Sequence, residues 1–151
     1  MRSKRNGWKM KSKVELLKNL HNYRRYNDYL SWMSVLMNTP KEYVNANLTP
    51  SQLIDGCCED FGVYFCIKYG IPLWAFDGGA HYLLIVDGRY YDGFNNTGVD
   101  NLKDLEFVSM LNGICGRYVD MTEEEMRQLL EVYDGWKDYD LYKENAHLID
   151  K

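Results

Sequence analysis

No apolar run in this 151-residue chain approaches the roughly 18 residues that a membrane-spanning helix requires, so no transmembrane segment is expected. The N-terminus is basic, but no apolar segment follows it, which argues against a secretory signal and points to a cytoplasmic protein. Histidine is scarce, with three residues at positions 21, 81 and 147, and there is no Cys-x-x-Cys pair. A zinc site is therefore not expected, and no metal or cofactor is implied. The four cysteines are Cys57, Cys58, Cys66 and Cys115. Two of them are adjacent and there is no export signal, so reduced thiols are expected rather than disulfides. Net positive charge is also missing. At a formal charge of -4, a dedicated nucleic-acid binder is not the expected class. Proline is sparse, and there is no internal repeat or low-complexity segment.

What the chain does have is aromatic mass: 15% of its residues, with 13 Tyr and 4 Trp, which supports a packed core and excludes global disorder. The length suits one domain. Its charge is uneven. Arg2, Lys4, Arg5, Lys9, Lys11 and Lys13 are basic with no acid among them, and residues beyond Asp120 are rich in Asp and Glu. We expect residues 1–12 to be a flexible basic tail and residues 13–151 to be a single domain that begins with a helical segment. The tail leaves a nucleic-acid-contacting accessory role as a minor reading.

Ser12 and Glu15 form a capping-box pattern, and apolar spacing of three and four continues to Met37, which predicts one long or two short helices ending near Asn38. Thr39-Pro40 and Thr49-Pro50 read as starts of short helical pieces. A helix follows over 57–68, with Cys58, Phe61, Gly62, Phe65 and Tyr69 on one face and Gly70 as its terminator. Extended chain is expected over 71–76. A strand is expected over 81–86, an Asp87-Gly88 hairpin turn after it, and a return strand over 89–92. Further on, 102–110 reads as a helix and 117–121 as a candidate strand. Thr122 and Glu125 form a second capping box, opening a helix to about Tyr133. Residues 134–151 give no clear pattern. The fold class is α+β: helices first, then a short antiparallel sheet packed on the Cys58 helix.

The chemistry concentrates in 56–92. Cys58 sits in the first turn of its predicted helix, where the helix dipole favours a thiolate. His81 opens the strongest strand. Asp92 closes the return strand, 11 residues later across a two-residue turn, where it can hold one imidazole nitrogen. A thiol, an imidazole and a carboxylate are the parts needed for nucleophilic cysteine chemistry. Cys58 rather than Cys57 lies on the inward stripe, and its backbone N–H is a natural oxyanion donor.

Taken together, Gly-x-Cys-x-Asp-Phe-Gly at 56–62, Tyr-Gly-Ile-Pro at 69–72, the glycine-rich turn into His81, and Asp-Gly-Arg-Tyr-Tyr-Asp at 87–92 resemble the transglutaminase-like branch of the papain-like cysteine hydrolase superfamily. The resemblance covers about residues 52–93. It implies a papain-like core, Cys58 as nucleophile, His81 as base and acid, and Asp92 as the orienting residue. Gln52, six residues before Cys58, stands where papain-like enzymes place a side-chain oxyanion donor. The implied activity is hydrolysis, deamidation or transfer at an amide or ester carbonyl through a thioester, on a protein or peptide substrate. The alternative is a non-catalytic protein-binding module of the same fold, such as a phage or mobile-element antagonist of a host protein.

Overall fold

The computed structural model describes residues 2–47 and 57–151, with side chains described over 12–44 and 57–151. The chain is α+β, mostly helical, with one small antiparallel sheet. Helix α1 spans Arg2–Asn22 and passes through a 3-10 turn at Tyr23–Arg25 into α2, Asn27–Leu36; α3 spans Lys41–Asn47 and α4 spans Cys58–Tyr69. Strands β1 (Trp74–Phe76), β2 (His81–Val86) and β3 (Arg89–Tyr91) follow, then α5 (Glu106–Cys115), α6 (Glu123–Arg127), β4 (Leu130–Val132) and α7 (Asp140–Asn145).

The sheet order is β3-β2-β1-β4, and every pairing is antiparallel. The β2–β3 connection is the Asp87-Gly88 turn, with φ of 53° and 76°. Positive φ at both central residues matches the right-handed twist of the flanking strands, which is why Asp-Gly suits this turn. Side chains alternate across the sheet. Leu84, Val86 and Tyr91 face a core shared with α1, α2 and α4, where Leu20, Trp32, Phe61 and Phe65 are buried. Phe76, Leu83 and Tyr90 face a second core with Phe107, Val108, Tyr118 and Met126.

Helix α4 lies across β2. It ends where Gly70 adopts a left-handed φ of 69° and its N–H caps Cys66 O. Gly62 faces Leu73, and a Cβ at position 62 would collide with Leu73 Cδ1. The absence of a side chain at Gly62 therefore sets how closely the segment entering β1 approaches α4.

Several sequence expectations are corrected. The helix expected to start at Ser12 is continuous from Arg2. The segment 117–121 is a series of turns rather than a strand. The Thr122–Glu125 capping box forms in both directions, but α6 stops at Arg127. The next residues become β4, because β1 offers an open edge: Trp74 pairs with Val132 and Phe76 with Leu130. Long-range pairing overrides the helical periodicity of this stretch. The 102–110 helix divides into a 3-10 turn at Leu102–Asp104 and α5, which starts later and runs on to Cys115. Residues 134–151 close the molecule from below α2: the Asp150 N–H donates to Asp28 Oδ2 at 3.1 Å. The Thr49-Pro50 turn lies outside the described residues.

Candidate active site

Cys58 is the first residue of α4. Two contacts fix this first turn. The Trp32 indole N–H donates to Asp60 O at 2.9 Å, and the Tyr142 hydroxyl donates to Asp60 Oδ1 at 2.5 Å. Phe61 and Phe65, one turn apart, anchor the helix in the first core.

His81 opens β2, paired with Phe76 of β1. Leu84 pairs with Tyr91 across the hairpin, so continuing that register puts Asp92 opposite Leu83, on the same sheet face as His81. Its carboxylate reaches back, and His81 Nε2 donates to Asp92 Oδ2 at 2.8 Å. The other carboxylate oxygen accepts the Phe94 and Asn95 N–H groups at 3.0 and 2.6 Å, which locks the rotamer. The loop carrying these groups is itself held from two sides. The Tyr23 hydroxyl donates to Gly93 O at 2.6 Å, and Asn95 Oδ1 accepts the Glu106 N–H at the start of α5 at 2.8 Å. One residue into α5, Phe107 stacks on the imidazole, with centroids 4.5 Å apart and planes 21° from parallel.

All three groups are buried: Cys58 is 6% exposed, His81 3% and Asp92 4%. Burial by itself would push the His81 pKa down. The hydrogen bond and charge of Asp92, together with the attraction of the Cys58 sulfur, outweigh it and push the imidazole up to about 9. Nδ1, the nitrogen not used by Asp92, is buried without a hydrogen-bond partner of regular geometry. The imidazole is thus fixed at Nε2, stacked on one face, open at Nδ1, and within electrostatic reach of Cys58.

Beside the sulfur lies a second group of side chains. Glu59 follows Cys58 on α4, Tyr82 follows His81 on β2, and Tyr133 follows β4. The Tyr82 and Tyr133 rings meet at 5.1 Å. Glu59 is raised above the ordinary carboxylate range by burial and then by the neighbouring Asp60; a hydrogen bond from Tyr133 offsets part of this.

The structure brings together Cys58, His81 and Asp92; Gln52 lies outside the described residues. Sequence reasoning missed Phe107, Asn95 and Tyr133. Asn95 sits in a loop whose pattern is only polar, and the other two reach the site through folds of the chain that no local periodicity encodes. Among the described residues no group of three or more His, Cys, Asp or Glu is placed to hold a metal ion. None of the described helices is long and apolar enough to cross a membrane. In comparisons with known proteins, no family model matches the chain, and no curated protein or solved structure is similar to it.

Proposed function

We propose that the protein performs cysteine-nucleophile acyl chemistry on a protein or peptide substrate, in an arrangement of the papain-like, transglutaminase-like kind. The observation that carries this reading is the buried His81–Asp92 hydrogen bond, which leaves Nδ1 for the neighbouring Cys58 at a helix start.

In this reading His81, held as imidazolium near neutrality, gives the Cys58 sulfur the positive neighbour a thiolate requires. The sulfur attacks an amide or ester carbonyl carbon, and the carbonyl electron pair moves to oxygen. The Cys58 N–H at the start of α4 is one donor for that oxyanion, and Gln52 is the proposed second. Collapse expels the amine or alcohol, which takes its proton from His81 Nδ1 and leaves a thioester. Water or an amine then attacks the thioester carbon and passes its proton to His81; cleavage of the carbon–sulfur bond releases the acid or the new amide and restores the Cys58 thiolate beside the His81 imidazolium. Asp92 holds the ring plane and stabilises its charge throughout.

The test is acylation by p-nitrophenyl acetate followed by peptide mass mapping. The adduct should fall on Cys58, and His81→Ala should slow its formation at least about tenfold, since general acid–base groups contribute at that level or above. An adduct spread equally over Cys57, Cys58 and Cys115 would refute the reading.

The near-complete burial of Cys58 favours a second reading, a non-catalytic binding module in which Cys58, His81 and Asp92 are a structural remnant. That module would show no selective acylation, and its Cys58→Ala variant would keep full partner binding.

A further inference from the structure

The side chains next to the sulfur carry information about the substrate. Glu59 is partly buried, and among the described residues no Lys or Arg forms an ion pair with it. The Tyr133 hydroxyl bonds its carboxyl, and the charge of Asp60 opposes its own. Tyr82 and Tyr133 are both partly exposed, with ring planes at 50° to each other. Both are wedged in place. The Tyr82 ring backs onto Gly79, the Tyr133 ring backs onto Gly135, and the Tyr133 N–H is bonded to Leu73 O at 2.8 Å. The result is a carboxylate at the edge of two tyrosines, with Glu59 next to Cys58 on α4 and both Glu59 and Cys58 within electrostatic reach of Tyr82.

A carboxylate drawn partly out of water without a counter-charge is an unsatisfied anion. Tyrosine faces attract cations through the ring quadrupole. These two properties coincide at a place that adjoins the nucleophile, since Tyr82 feels the charges of both Glu59 and Cys58. We propose that Glu59, Tyr82 and Tyr133 form a specificity subsite for a cationic group, an ammonium or guanidinium, carried by the acyl substrate next to its reacting carbonyl. The proposal rests on the acyl-chemistry reading above and adds the charge of the substrate to it. Glu59 acts here as a specificity residue and takes no part in proton transfer.

The test uses three methanethiosulfonate reagents on the full chain: the aminoethyl (cationic), methyl (neutral) and sulfonatoethyl (anionic) forms. Rates are read separately at Cys58 and at the exposed Cys115 by peptide mapping. Relative to Cys115, Cys58 should prefer the cationic over the anionic reagent by about threefold to tenfold at low salt, the range expected for one charge pair a few ångströms apart in a wet site. The preference should shrink at 1 M salt. Glu59→Gln, close to isosteric, should keep the thermal melt while removing most of the cationic-over-anionic preference. Equal charge selectivity at Cys58 and Cys115, or selectivity unchanged in Glu59→Gln, overturns the subsite. Acylation by p-nitrophenyl acetate separates this failure from failure of the acyl chemistry, because the ester is uncharged. Selective acylation of Cys58 without cation preference leaves an enzyme lacking this subsite.

Discussion

His81 and Asp92 stand 11 positions apart in sequence and are joined by a 2.8 Å hydrogen bond between two almost fully buried side chains. The bond is possible because a two-residue turn returns β3 alongside β2, and because Asp92 is pinned by two backbone N–H groups. Asp92→Asn replaces an accepting oxygen by a donor, facing the Nε2–H of His81. Iodoacetamide labelling of Cys58 near neutral pH should slow at least several-fold, with the fold retained. Asp87→Asn should change neither, since Asn-Gly forms the same turn. Equal effects of the two substitutions would remove Asp92 from its orienting role.

The four thiols should separate by reactivity. Burial pushes Cys66 up to about 12, so it should resist alkylation until the protein unfolds. Cys115 is exposed and serves as the accessible reference thiol. Activated by His81, Cys58 should react faster than Cys115 near neutrality despite its burial. Peptide mapping of alkylation rates between pH 5 and pH 9 would expose a common profile for all thiols, which would rule out activation by His81.

Stability should carry the signature of His81. Its imidazole is raised from 6.5 to about 9 in the fold, against burial, by Asp92 and Cys58. A raised folded value means the folded state binds the proton more tightly than the unfolded chain. The resulting stabilisation is complete below about 6.5 and is lost as pH rises through about 9. The melting temperature of the parent protein should therefore fall over this window relative to His81→Gln. Parallel pH profiles for the two proteins would contradict the raised value.

Gly62 should tolerate little. Alanine there gains up to about 1 kcal/mol of helix propensity. Against this, its Cβ meets Leu73, which is fully buried and cannot swing clear. Overpacking of this kind costs about 1–3 kcal/mol, so Gly62→Ala should lower stability in urea by up to about 2 kcal/mol after the propensity gain. Combining it with Leu73→Val should recover part of the loss. An additive double variant would show that the contact is not the cause.

The sequence alone determined the elements whose signals are local. The β2 strand, the Asp-Gly turn and the Gly70 helix stop were legible because period, turn chemistry and glycine conformation act over a few residues. The order Cys58, His81, Asp92 was legible for the same reason, since a helix start and one hairpin carry all three. Tertiary structure decided the rest. Residues 130–132 continue an apolar helical pattern, yet they form a strand because β1 has an edge to fill. Phe107 covers the imidazole from 26 residues away, and Tyr133 reaches Glu59 only after β4 has docked. Such contacts depend on which surfaces remain unpaired once the local elements exist, a property of the assembled chain that no window of sequence contains.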